Sequence, residues 1–180
     1  MIYMFLADGF EEVEALCPLD ILRRAGLEVT TVGIGKDTVR GAHGIVVQAD
    51  IPDIMYRDSK PDMIILPGGM PGASNLDLSK TVDAAIRAGA KNGAFLCAIC
   101  AAPFVLGKRG LLRGKRAVCF PGFESELEEA VIDNENVVVK DGKIITAKGM
   151  GAAFEFGLEL VRALKDNETA EKIKASVFAK

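Results

Sequence analysis

At 180 residues, with 49% hydrophobic and 26% charged residues, 19 Gly and only 7 Pro, the chain has an ordinary globular composition, which excludes a disordered or fibrous protein. That length suits one domain, residues 1–180, with a sizeable core. The net charge of -3 lacks the basic balance of a nucleic-acid binder, and the densest basic run, "GKRGLLRGKR", is short and reads as a solvated helix end and turn.

The chain opens on "IYMFL", residues 2–6, a continuous apolar run of the kind that forms a strand buried on both faces. It carries no basic n-region and stops at Asp8, so it is not a signal peptide, and no segment reaches the ~18 apolar residues of a membrane span. A cytoplasmic protein is expected. "VEALCPLDILRRAG" follows with helical spacing, acidic at its start and basic at its end, with Gly26 just past it. Pro18 inside this pattern predicts a kink or local break.

"EVTTVGI" predicts a second strand, and "TVRGAHGIVVQAD" a hairpin turning at Gly41 and Gly44. "PDMIILPGGMPGASNL" is an apolar strand ending in a Gly-rich loop; "KTVDAAIRAGAK" is a helix, "GAFLCAI" a buried strand, and "AAPFVLGKRG" a helix closed by Gly110. "RAVCF" reads as a strand, "ESELEEAV" as a helix, "NVVVKDGKIITA" as a hairpin turning at Asp141 and Gly142, and "GAAFEFGLELVRALK" as a core-closing helix. Strands alternating with helices predict an α/β fold, a mostly parallel sheet with helices on both faces. Its ligand site belongs at the carboxyl ends of the strands, where Ala7 to Glu14, Gly68 to Gly72 and the segment around Cys100 converge.

Four cysteines without a secretory signal read as free thiols. Two of them, Cys97 and Cys100, stand three apart in "NGAFLCAICAAP". A strand that turns sharply into a helix can present one side chain at its apex only if the residues two before and two after are small. Ala98 and Ala102 satisfy this around Cys100, whereas Phe95 and Ile99 do not around Cys97, which is left as a strand core residue. At the apex Cys100 precedes a helix N-terminus, which favours the thiolate. A redox pair would need both thiols at the helix start, and with the single histidine His43 and no second C-x-x-C a zinc site lacks ligands. "GIGKDT" has Thr38 where a dinucleotide fingerprint needs its third glycine. No metal or cofactor is expected.

Gly68 and Gly69, adjacent at a strand end, free backbone amides to turn toward a bound group, one half of an oxyanion hole whose other half is the Ala101 amide. In "DGFEEVEA", Glu14 begins the apolar stripe three residues after Glu11 and can face the sheet edge. Held against the thiol, its carboxyl would be raised in pKa and could shuttle protons.

"GFEEVEA", "RRAGLEVT", "LPGGMPGASNL", "AICAAP" and "VVVKDGKIITAKGMGAAFEFGLELV", in this order across essentially the whole chain, resemble the ThiJ/PfpI superfamily and most closely its parkinsonism-associated deglycase (DJ-one) branch. The resemblance implies a flavodoxin-like three-layer sandwich, usually homodimeric. It makes Cys100 the reactive cysteine, Glu14 its partner carboxylate, and Gly69 and Ala101 the amides that bind an oxyanion. There are departures. Ala101 stands where the PfpI-type peptidases have a histidine, which argues against a peptidase or amidase. Phe120 stands where the deglycase branch has one, and Met150 where the family commonly has a proline. His43 lies where relatives often carry an arginine near the dimer interface; it either approaches the site or is a solvent-facing turn residue.

Two functions are compatible with these residues. One is a glutathione-independent glyoxalase or deglycase acting on methylglyoxal-type 2-oxoaldehydes or their adducts without metal or cofactor. The other is a non-enzymatic oxidative-stress sensor or chaperone in which Cys100 is oxidised to a sulfinate.

Overall fold

The computed structural model describes residues 1–57 and 60–179. In chain order its elements are β1 (Ile2–Leu6), α1 (Glu12–Arg24), β2 (Val29–Gly33), β3 (Thr38–Arg40), β4 (Val46–Gln48), β5 (Ile51–Pro52), β6 (Met63–Leu66), α2 (Gly72–Leu78), α3 (Lys80–Asn92), β7 (Phe95–Ile99), α4 (Pro103–Gly107), β8 (Arg116–Ala117), β9 (Val131–Ile132), β10 (Val138–Asp141), β11 (Ile144–Ala147), α5 (Ala153–Leu164) and α6 (Asn167–Ser176). Seven strands form one sheet in the order β10-β11-β7-β6-β1-β2-β5. All neighbours are parallel except β10, which folds back on β11.

Side-chain alternation along each strand divides the core in two. Ile2, Met4 and Leu6 of β1, with Met63 and Ile65 of β6 and Cys97 and Ile99 of β7, pack on the side of α1, α5 and α6. Tyr3 and Phe5, with Ile64, Leu66, Leu96 and Ala98, pack on the side of α2, α3 and α4. A strand buried on both faces has no polar register to keep, which is why these runs are continuously apolar. The result is the three-layer α/β sandwich that the sequence predicts, and no helix among the described residues is long and apolar enough to cross a membrane.

Several local expectations need correction. α1 runs without interruption through Pro18, which removes only the donor that would have met the Glu14 carbonyl. α5 crosses it at Gly157, where a Cβ would lie 2.7 Å from Ile21 Cδ1 and 3.0 Å from the Pro18 Cα, so packing against a close neighbour offsets the lost bond. The acidic run "ESELEEAV" forms one 3-10 turn, Glu124–Glu126, in place of a helix. Its backbone lies against Gly107, whose Cβ would sit 2.5 Å from the Glu126 carbonyl oxygen, and Glu129 has φ 57°, outside the helical region. "RAVCF" contributes only the two residues of β8, paired with β9 outside the main sheet. α2 and α6 were not legible as separate helices.

Candidate active site

The carboxyl ends of β1, β6 and β7 lie side by side at the centre of the sheet. The chain leaves β7 through Cys100, which has φ 66°, a left-handed conformation that strains any residue with a Cβ. Hydrogen bonds pin the apex on both sides: its amide donates to the Ala147 carbonyl at 2.9 Å, and its carbonyl accepts from the Phe120 amide at 2.8 Å. Ala98 and Ala102, buried on either side, provide the room the turn needs. Cys97 is fully buried in the strand, as its bulky neighbours predict.

Glu14, on the first turn of α1, is 1% exposed and faces this apex. Its amide donates to the Glu11 carboxylate at 2.7 Å, so the N-cap of the helix sets its orientation. The Glu14 carboxyl accepts from the Gly68 amide at 3.1 Å and from the Met150 amide, and it is hydrogen-bonded to the Cys100 thiol. A Cβ on Gly68 would lie 2.6 Å from both the Cys100 Cβ and Glu14 Oε2, so only glycine fits between acid and thiol. Gly69, at φ 83°, turns its own amide, with that of Ala101, toward the Cys100 sulfur. Gly68, expected among the oxyanion donors, thus serves the carboxyl, and the Gly69 and Ala101 amides remain for an oxyanion.

Burial is the main cause that raises Glu14, to about 7; the Glu11 charge adds to it, and the Cys100, Gly68 and Met150 bonds pull it back. The Cys100 thiol is pushed up to about 12, first by burial and then by the Glu14 charge, against the pull of the Gly69 and Ala101 amides. This differs from the thiolate expected at a helix N-terminus. The helix concerned, α4, has five residues and starts three positions beyond the thiol, too little and too far for its dipole to offset burial. Acid and thiol therefore share one negative charge, and the sulfur becomes anionic when Glu14 takes up its proton.

His43 sits in the β3–β4 turn with an exposed ring whose Nδ1 lies 2.9 Å from Glu12 Oε2. The sequence did not single out Glu12, yet its carboxylate is buried and also accepts from the His43 amide at 2.7 Å and the Ile45 amide at 3.4 Å. Burial alone would raise Glu12, but these bonds hold it below its usual value, and the same contact raises the His43 ring. Potential ligand atoms of Glu11, Glu12 and His43 lie within 4.8 Å of one another, but Glu12 is already engaged in fastening the hairpin to α1. The sequence points to the Met150 side chain, whereas the Met150 amide is what reaches Glu14; only the loop after β11 brings it there.

The chain that brings the Glu14 carboxyl, the Cys100 thiol and the Gly68–Gly69 loop together matches a model of the DJ-1/PfpI family over residues 1–163. The chain belongs to that family. It is 34% identical to Protein dj-1beta of Drosophila melanogaster over 94% of this chain and 92% of that one. It is also 34% identical to the glutathione-independent glyoxalase DJR-1.2 of Caenorhabditis elegans over 91% and 87%. Among solved structures, oxidized Toxoplasma gondii DJ-1 superposes with a TM-score of 0.94 at 35% identity, over 99% of this chain and 97% of that chain. The family resemblance and the flavodoxin-like fold read from the sequence both hold.

Proposed function

We propose that the protein is a cysteine-dependent, glutathione-independent glyoxalase or deglycase for 2-oxoaldehydes of the methylglyoxal type or their adducts. The observation that carries this reading is the direct contact of the buried Glu14 carboxyl with the Cys100 thiol, beside the amides of Gly69 and Ala101. As Cys100 Sγ bonds to the aldehyde carbon, Glu14 takes the thiol proton and returns it to the aldehyde oxygen, giving a hemithioacetal. Glu14 then removes the hydrogen from that carbon; the resulting enediolate is stabilised by the two amides, and the proton is delivered to the adjacent carbon. Oxidation of one carbon balances reduction of the other, so the reaction needs no external oxidant. Water hydrolyses the thioester, releasing a 2-hydroxy acid and the free thiol.

The glyoxalase DJR-1.2 supports the reaction class. The test is conversion of methylglyoxal to lactate by the purified protein; no lactate above the uncatalysed rate overturns the reading. All four cysteines are free, which suits a reducing compartment, and we assign the reaction to the cytoplasm.

The same groups favour a second reading, oxidation sensing: Glu14 and the Gly69 and Ala101 amides would hold a Cys100 sulfinate formed by two oxygen transfers from peroxide, each releasing water. Treatment with peroxide followed by peptide mass spectrometry should find two added oxygens on Cys100. Finding them first on Cys97 or Cys119 would sink this reading.

The homodimer is also a proposal. Val13 on α1 and Ile45 and Val46 on the hairpin are exposed apolar side chains on two elements that the Glu12 clasp holds together, which supports a second copy covering them. Light scattering after gel filtration should give twice the monomer mass, and Ile45→Glu should shift it to the monomer. A monomeric wild type would refute the dimer.

A further inference from the structure

The polar groups of the Cys100 centre serve the reacting atoms: Glu14 bonds the thiol, Gly68 and Met150 bond Glu14, and the Gly69 and Ala101 amides face the sulfur and the oxyanion that forms beside it. A substrate's substituent must therefore be received by other side chains. Two stand at the mouth. The Phe120 amide is tied to the Cys100 carbonyl at 2.8 Å, and the ring lies against Gly149, with Cδ2 3.3 Å from where a Cβ would be. That same point is 3.8 Å from Glu14 Oε1, so the aromatic ring and the acid both lie within 4 Å of one position beside Gly149. Met150 follows Gly149 and bonds Glu14 through its amide.

Phe120 is 48% exposed and Met150 55%, large apolar surfaces beside the acid that the protein core leaves uncovered. The charged side chains joined to this centre are acidic, Glu14 and behind it Glu11, while the His43 ring is engaged by Glu12. An anionic aldehyde would meet like charge there, whereas an uncharged apolar substituent would remove Phe120 and Met150 from water.

We propose that the site selects uncharged 2-oxoaldehydes bearing a branched-alkyl or aryl substituent over methylglyoxal and over carboxylate-bearing aldehydes, with Phe120 and Met150 as the specificity-determining residues. The substrate class rests on the glyoxalase reading above; the apolar preference rests on the two side chains.

The readout is the ratio of kcat/KM for 4-methyl-2-oxopentanal to that for methylglyoxal, two aliphatic aldehydes of similar intrinsic reactivity. It should exceed about tenfold in the wild type, the worth of a few methylenes in an apolar pocket, and fall toward one in Phe120→Ala and Met150→Ala. 4,5-Dioxopentanoate, a 2-oxoaldehyde that carries a carboxylate, should be the poorest substrate. A second readout needs no turnover: alkylation of Cys100 by N-phenyl iodoacetamide and by iodoacetate, in which sulfur displaces iodide, each rate divided by that with glutathione. The phenyl reagent should gain about tenfold over the acid in the wild type, and in both variants the gain should shrink to the part that repulsion by Glu14 and Glu11 maintains. Turnover with a ratio near one, together with alkylation no more selective than that of glutathione, overturns the preference and leaves the glyoxalase intact. Selective alkylation without any turnover removes the glyoxalase and leaves an apolar-selective thiol.

Discussion

Replacing Glu14 by Gln should lower kcat for 2-oxoaldehyde conversion by about 10²- to 10⁴-fold, the usual contribution of a positioned general base. Cys100→Ala should leave only the uncatalysed rate. The two losses have different origins. Alanine removes the atom that bonds the substrate, whereas glutamine retains an oxygen able to accept from the Gly68 amide, 3.1 Å from Glu14 Oε2, and loses only the capacity to take up a proton. The pH profile distinguishes loss of a base from loss of shape. In the wild type, kcat/KM should rise as Glu14 deprotonates through about 7 and level off above it. Glu14→Gln should lose that inflection. Its thiol should also ionise at lower pH than in the wild type, since the Glu14 charge is the second cause that pushes Cys100 up to about 12. Ultraviolet thiolate absorbance follows this directly. An unchanged kcat in Glu14→Gln would remove the carboxyl from the mechanism.

The same substitution should stabilise the protein at neutral pH. Glu14 is held near 7 in the folded state, against an ordinary value of 4.5, mainly by burial. Below 4.5 folded and unfolded states both carry the proton, and the group is neutral in its effect. Between 4.5 and about 7 the folded state keeps a proton that the unfolded state has lost, so stability falls as pH rises. At ~1.4 kcal/mol per pH unit the loss over this window is about 3 kcal/mol. Glutamine does not titrate. Urea unfolding at pH 4.5 should therefore give similar stabilities for wild type and Glu14→Gln, and at pH 8 the variant should be more stable by about 3 kcal/mol. A variant less stable than wild type at pH 8 would mean that Glu14 contributes more through its hydrogen bonds than its burial costs. Gain of stability with loss of activity is the pattern expected of a buried group retained for its chemistry.

Much of the fold was legible because its cues are local. Runs such as "IYMFL" and "MIIL" are apolar on both faces because β1 and β6 are central strands, and alternation with helices specifies parallel pairing. The misread segments are those where local pattern and tertiary contact disagree. "ESELEEAV" has helical composition, but its backbone is drawn onto Gly107 and Glu129 adopts a positive φ, leaving one 3-10 turn.

At the site the sequence by itself determined which thiol stands at the apex, since the sizes of Ala98 and Ala102 against Phe95 and Ile99 decide where a strand can turn. It also placed Glu14 and the Gly-Gly loop on the same sheet edge, because connection order specifies which strand ends are neighbours. Only the tertiary structure decided how the work is divided. The Gly68 amide meets a carboxyl 54 positions away, Met150 supplies a backbone donor, Glu12 is buried under the β3–β4 hairpin, and the thiol is pushed up although it precedes a helix. Hydrogen-bond partners and burial arise where distant segments meet, and they control proton affinities more strongly than any neighbour in the chain.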